Sequence, residues 1–343
     1  MLRGSSLNKV LLLYTMTSGL GDYIVMGDLM HKVETLVPGA KCLMAHRGNP
    51  HVNLWPYDNP SERFFDVYKP RQLLRLVARL KKARKEGYTV FGLQMAPGSV
   101  QGFFFHSCLK RTKALDFIVD FNLINADIII PPKGNYILDL HLNQAKDLLK
   151  VDFPQELYRL NLPIEGLGLP NTSEERIGTF KIGVHPWSRR GHLSSFVWPF
   201  ERWLELIRFL VLERSGEIVI FGRDEKFREF ENYVRIRLNR SLDRMNFIEC
   251  NSVGELVGVV RDLDLIVSVN TAVVHIGYAL DKRMVILCGP SLDIWTPKDG
   301  EVRVVYDKKA DFWGSDKWVD DVRFRRVDRI EVRDVIDAVI ELT

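Results

Sequence analysis

Five short stretches of the chain bring together residue types that can do chemistry. The first is Ser18-Gly19-Leu20-Gly21-Asp22, small residues ending in a carboxylate. It follows an apolar run, Lys9–Tyr14, and precedes a helical pattern, so it predicts a strand-to-helix loop. Such loops hold ligands at the carboxyl ends of parallel strands. Glycines let backbone come close to a substrate, and Asp22, at the helix start, either faces that ligand or caps the helix. The full G-x-G-x-x-G spacing of a dinucleotide site is absent.

The second stretch, His185 to His192, carries Ser188, Arg189 and Arg190 after another strand-like run and before Trp198-Pro199. Hydroxyl, guanidinium and a helix N-terminus together could hold a diphosphate, and a solvated surface loop is the other reading. The third runs from Val267 through Asn270, Thr271, Ala272 and His275 to Gly289-Pro290. Here a strand ends and a helix opens at once, aiming backbone N–H groups at an anion. His275, one turn in, is either a ligand contact or a structural histidine. In the fourth, Phe221-Gly222-Arg223-Asp224-Glu225, Glu225 could accept ribose hydroxyls or simply complement a helix dipole. The fifth, Asp262-Leu263-Asp264, imitates a metal-binding D-x-D. It precedes a strand rather than following one, and no other metal-ligand spacing occurs, so no metal and no cofactor are expected.

The elements that must position these groups alternate. Strand at Lys9–Tyr14, helix about Asp22–Leu36, strand Lys41–Ala45, helix Arg71–Glu86, strand Thr89–Leu93 and helices Val100–Leu109 and Ile137–Leu149 fill the first half. From Phe153 to Arg176 prolines and glycines break the pattern, predicting a linker. The alternation restarts at Lys181–His185 and runs to Arg283–Leu287, and a last helix covers Val332–Leu342. This order predicts parallel sheets with helices on both faces. The domains expected are 1–165 and 166–326, with 327–343 packing back on the N-terminal lobe.

Bulk properties fit. The 343 residues suit two cores, and 46% apolar with 27% charged residues is a globular balance. A net charge of +4 with no basic run interleaved with aromatics argues against nucleic acid as a partner. Four scattered cysteines, Cys42, Cys108, Cys250 and Cys288, read as free thiols in a reducing cytosol. The apolar run near the start is too short for a leader and reads as the first strand. No segment reaches the ~18 apolar residues of a membrane span. The basic stretch 69–85, with Leu73, Val77 and Leu80 at helical spacing, is either a solvated helix face or a contact with anionic lipid.

In order and spacing these motifs resemble glycosyltransferase family 9, the lipopolysaccharide heptosyltransferases, from Lys9 to Leu342. The resemblance rests on Ser-Gly-Leu-Gly-Asp, on His185-Pro186 leading to Trp198-Pro199, on Asn270-Thr271 to Gly289-Pro290, and on Trp295-Thr296-Pro297. It implies a GT-B fold, two Rossmann-like doubly wound lobes facing a cleft, the first on the acceptor side and the second binding a nucleotide sugar. It also implies inverting, metal-independent transfer, with Asp22 as general base in a loop that Ser18, Gly19 and Gly21 shape. The donor, a nucleoside-diphosphate sugar, ADP-linked and heptose-like, would meet Ser188, Arg189, Arg190, Asn270, Thr271 and Ala272 by its diphosphate, Glu225 by its ribose and Leu256 by its base. The acceptor would be a cell-envelope glycolipid or polysaccharide, and the place of action the cytoplasm or the inner face of its membrane. Three positions depart from the family pattern: Phe196 stands for a lysine, Asn270 for an aspartate and Ala272 for a glycine. They keep an alternative open, a GT-B scaffold that binds nucleotide without turnover.

Overall fold

A computed structural model describes residues 9–15, 19–46, 62–94, 100–120, 126–134, 136–167, 169, 179–188, 196–213, 216–238, 242–289, 295–307 and 326–343. The chain divides into two compact units, Met1–Asn161 and Leu162–Thr343.

The first unit is built on β1 (Val10–Thr15), whose run VLLLYT is buried almost throughout. A strand covered on both faces reads as continuous apolar residues instead of alternating ones. Around it stand β2 (Ala40–His46), β3 (Phe64–Asp66), β4 (Thr89–Gln94), β5 (Phe117–Asp120) and β6 (Ile128–Ile129), in the order β3-β2-β1-β4-β5-β6. Every pairing is parallel. Helices α1 (Leu20–Leu36), α2 (Pro70–Lys85), α3 (Val100–Arg111) and α4 (Ile137–Leu149) supply the connections. Leu11 and Leu13 share one core with Leu76 and Leu80 of α2 and Leu109 of α3, so α2 and α3 lie on the same face of the sheet.

The second unit repeats the plan with β7 (Lys181–His185), β8 (Glu217–Gly222), β9 (Met245–Glu249), β10 (Leu265–Val269), β11 (Arg283–Leu287) and β12 (Val302–Val305), ordered β12-β11-β10-β7-β8-β9. Its helices are α5 (Phe200–Glu213), α6 (Asp224–Arg237), α7 (Val253–Arg261), α8 (Ala272–Ala279) and α9 (Val332–Leu342). Counted from each unit's first strand, both sheets read 3-2-1-4-5-6, the doubly wound order whose switch point lies between strands 1 and 4. Two α/β units with parallel sheets is the architecture the alternation predicts.

The compact units differ from the expected domains in two bounds. The first unit ends at Asn161 and not at 165, because Asp28 of α1 accepts the Asn161 N–H at 3.1 Å and Lys32 donates to the Arg159 carbonyl. The 3-10 turn Ile164–Leu167 already belongs to the second unit, its Leu167 carbonyl close against Gly254 of α7. The last segment, 327–343, is likewise part of the second unit. Val335 and Val339 of α9 are fully buried in that unit's core beside Trp203. The indole of Trp198 donates to the Ile330 carbonyl at 2.9 Å, fixing the approach to α9. Short strands β3, β5, β6 and β12, absent from the sequence reading, complete the sheets.

Candidate functional site

In the second unit the switch point falls between β7 and β10, so the segments leaving those strands flank one position at the sheet's carboxyl edge. β7 delivers His185, Trp187 and Ser188. The Trp187 indole donates to the Phe221 carbonyl at 3.1 Å and stands edge-on to Phe227 and Phe230. Gly222 makes room for it: a Cβ there would lie 2.1 Å from the indole nitrogen. The segment entering Ser188 is thus pinned over the end of β8. Arg189 and Arg190 lie outside the described residues, as does Ser18.

His185 is held neutral, its pKa pushed down to about 3 by burial. The Ser268 hydroxyl, 3.3 Å from His185 Nδ1, donates its one proton to the Val269 carbonyl at 2.8 Å. The bond to His185 must then be donated by Nδ1–H, which leaves Nε2 as the acceptor. β7 and β10 are joined at their tips by this pair as well as by the sheet.

β10 delivers Asn270 and Thr271. The Asn270 N–H donates to the Leu287 carbonyl at 3.1 Å and its side-chain amide to the Thr296 hydroxyl at 2.7 Å. Thr296 also sits 3.6 Å from the Cys288 thiol, so Asn270 is tied to the segment that follows β11. Thr271 is the N-cap of α8 with extended backbone, yet its side chain makes no capping bond. Its hydroxyl is buried without a partner among the described residues, and no acidic residue occupies the first turn of α8. Ala272 and Val273 open the helix with N–H groups that no helical carbonyl can satisfy. Hydroxyl, amides and dipole therefore converge as an uncompensated positive end. His275, one turn further, is buried and neutral, its pKa lowered to about 4, with its ring edge-on to Trp295.

The neighbouring strands extend the row. Glu225 is exposed in the first turn of α6, after Asp224, whose φ of 70° marks a tight exit from β8. Leu256 is half-buried in α7, whose N-cap Ser252 accepts the Glu255 N–H at 3.1 Å. Asp264, by contrast, accepts the Lys181 N–H at 2.7 Å, at the opposite, amino end of β7 and β10. Among the described residues no cluster of His, Cys, Asp or Glu could hold a metal ion.

In the first unit Asp22 sits at the third position of α1, and its Oδ2 accepts the Gly19 N–H at 2.9 Å. Gly19 has φ −89°, so its lack of a side chain serves space and not conformation. A Cβ there would lie 3.1 Å from Asp22 Oδ2. Gly21 is buried. Beside Asp22 is a group that sequence reasoning missed: Tyr23, His46 and Asp66, all buried. The Tyr23 phenol is held in its protonated form by burial first, then by the charges of Asp66 and Asp22. Its ring stands 5.7 Å from that of His46. His46 and Asp66 end β2 and β3, so placing them needed the register of two short strands.

Residues 166–319 match the family model described as Glycosyltransferase family 9 (heptosyltransferase). No curated protein matches the chain. Among solved structures it is similar to a glycosyl transferase family 9 protein from Veillonella parvula, with 16% identity, 99% of each chain covered and a TM-score of 0.64. It is also similar to E. coli ADP-heptose lps heptosyltransferase II, at 17% identity, 97% and 98% coverage and TM-score 0.60. A third is E. coli heptosyltransferase WaaC with ADP-2-deoxy-2-fluoro heptose, at 15% identity, 97% and 100% coverage and TM-score 0.61. At such identities the likeness is one of fold.

Proposed function

We propose that this chain, whose residues 166–319 match the family 9 glycosyltransferase model, moves a heptose-like sugar from a nucleoside-diphosphate donor to a hydroxyl of a cell-envelope glycolipid or polysaccharide. The observation that carries the donor site is the uncapped start of α8 with the orphaned Thr271 hydroxyl. The order of the sheet supports the rest. Read along β10-β7-β8-β9, the candidates run Thr271 and Ala272, Ser188, Glu225, Leu256. That is the sequence of groups in an extended nucleotide: diphosphate, ribose, base. Three strand spacings of ~4.8 Å give about 14 Å for the row, a length a nucleoside diphosphate can follow. An adenine nucleotide is favoured because a relative of this fold holds ADP.

In the transfer, the Asp22 carboxylate takes the proton of the acceptor hydroxyl as its oxygen attacks the anomeric carbon. The bond from that carbon to the diphosphate oxygen breaks on the opposite face, so configuration inverts. Charge growing on the leaving diphosphate is met by the α8 N–H groups, the Thr271 hydroxyl and Arg189 and Arg190, which is where preorganised donors act on rate. The Gly19 N–H holds Asp22 in place. Organic cations do what a metal does elsewhere, so the reaction is proposed as metal-independent, and the site of action as the cytoplasmic face of the membrane that carries the acceptor.

One observation favours the second reading, a nucleotide-binding scaffold without turnover: the Asn270 amide is spent on Thr296. Calorimetry with ADP, UDP and GDP, without added metal, tests the donor site. Selective ADP binding that weakens at least about tenfold in Arg189→Ala/Arg190→Ala supports it, and no binding by folded protein sinks it. With donor and a lipid-linked acceptor, Asp22→Asn should lower kcat by about 10²–10⁴-fold with ADP affinity kept. Affinity without any turnover in the parent chain would instead establish the scaffold.

A further inference from the structure

Helix α2 does more than cover the first unit's sheet. Of its 16 residues seven are Arg or Lys and none is acidic. Its inner side, Leu76, Leu80 and Ala83, is buried in the core. The opposite side presents Arg71, Leu74, Ala78, Lys81 and Lys85, at spacings of three and four that make one outward stripe. Leu74 is 69% exposed in its midst. Arg84 is paired with Asp116 and Lys82 with Glu86. Arg71, Arg75, Lys81 and Lys85 make no ion pair with any described residue. Helix α3 lies on the same sheet face, and Arg84 of α2 donates to the carbonyl of Lys113, just past the end of α3. On α3, Phe104, 67% exposed, Cys108 and Arg111 share one outward face at spacings of four and three.

Unpaired cations around isolated exposed apolar side chains fit one partner chemistry. A bilayer bearing anionic headgroups offers a sheet of negative charge for the cations and a shallow apolar layer for Leu74 and Phe104. Nucleic acid would match the charge but leave Leu74 exposed. We propose that the outer face of α2, continued by the Phe104–Cys108–Arg111 edge of α3, docks the first unit on an anionic lipid surface. This deepens the proposed function, since a lipid-linked acceptor would be met at that surface, but it is tested without nucleotide and stands or falls separately from the donor site.

Cys108 is exposed while Cys42, Cys250 and Cys288 are buried, so the native protein takes an environment-sensitive dye at Cys108 alone. With vesicles of phosphatidylcholine containing about one quarter phosphatidylglycerol, we expect sedimentation with the lipid and a blue shift of the dye. Partition should be at least about tenfold weaker on pure phosphatidylcholine and should fall as salt rises from about 0.05 to about 0.5 M. Arg71→Gln/Lys81→Gln/Lys85→Gln should lose about tenfold or more in partition. A matched set on the second unit, Arg208→Gln/Lys226→Gln/Arg333→Gln, carries the same net charge and should retain it. Leu74→Ser/Phe104→Ser should weaken binding and abolish the blue shift while leaving the salt dependence. Equal binding to neutral vesicles, equal loss in both charge sets, or competition by RNA with the dye unshifted on lipid would overturn the proposal.

Discussion

Thr271 is the side chain on which the donor reading can be tested most sharply, because its hydroxyl is a cost to the folded protein unless a ligand takes it up. A buried hydroxyl without a partner is destabilising by about 1–3 kcal/mol. Thr271→Val keeps the shape and removes the group. We expect stability in urea to hold or rise by up to about 1 kcal/mol, while ADP affinity by calorimetry falls roughly tenfold, the worth of one hydrogen bond to a charged group. A fall in both would mean that the hydroxyl serves the fold. Gly19 invites the complementary change. In Gly19→Ala the new Cβ lies 3.1 Å from Asp22 Oδ2, so the carboxylate must shift. Transfer should slow by about 10-fold or more with ADP binding unchanged, read as kcat against KM for donor. Both residues were legible in the sequence as small or hydroxyl groups at strand-to-helix loops. What the sequence hid was occupancy: Asn270, chosen as a donor contact, is engaged by Thr296, and no periodicity reports such a bond between two loops.

Elements are legible when they are long or bury one kind of residue. Helices Val100–Arg111, Ile137–Leu149 and Val332–Leu342 and strands Lys181–His185 and Arg283–Leu287 stand within two residues of where apolar spacing puts them. Strands of two to four residues, Phe64–Asp66 or Ile128–Ile129, are too short to show a period, and they exist because a neighbouring strand pairs with them. That α9 contributes to the second unit's core was not legible for a related reason: an amphipathic helix announces an apolar face but not the surface it covers. Helix α1 shows the opposite case, an apolar segment carrying a charged pair. Asp28 and Lys32 are 1% and 3% exposed and meet in an ion pair that also holds Asn161 and Arg159. Removing one partner leaves a buried charge, so Lys32→Met should cost about 3–5 kcal/mol in urea unfolding. Asp28→Leu/Lys32→Met should cost much less, because no charge is stranded. A double variant as unstable as the single one would show that the pair's hydrogen bonds to the Asn161 and Arg159 backbone, and not the charge balance, hold the end of the first unit.

At the scale of the molecule, two sheets of one strand order place one catalytic candidate and one anion-binding end at loops that border a switch point, Asp22 after β1, the first strand of its unit, and Thr271 after β10, the fourth of its own. The same construction buries histidines in both units, and it is their protonation that sets how the fold answers acid. His106, fully buried with no partner for either ring nitrogen among the described residues, has its pKa lowered to about 3, His185 to about 3 and His275 to about 4, each by burial. A base whose folded pKa lies below its unfolded value of about 6.5 is neutral in the fold and charged in the unfolded chain between those limits. The unfolded chain then binds more protons, so the three histidines stabilise the protein above pH about 6.5 and withdraw that stability as pH falls toward about 3. Asp28 works in the other direction. Burial, opposed by Lys32, raises it to about 6, so its contribution is greatest below its unfolded pKa of 3.8 and is lost as pH rises through about 6. With three histidines against one aspartate, stability should decline from pH 7 to pH 5. His106→Leu removes one titrating group of the first unit without adding a charge, so its urea midpoint should fall less between pH 7 and pH 5 than the parent's. An equal fall would mean that His106 is reached by solvent in the native protein and that the acid response of the first unit comes from elsewhere.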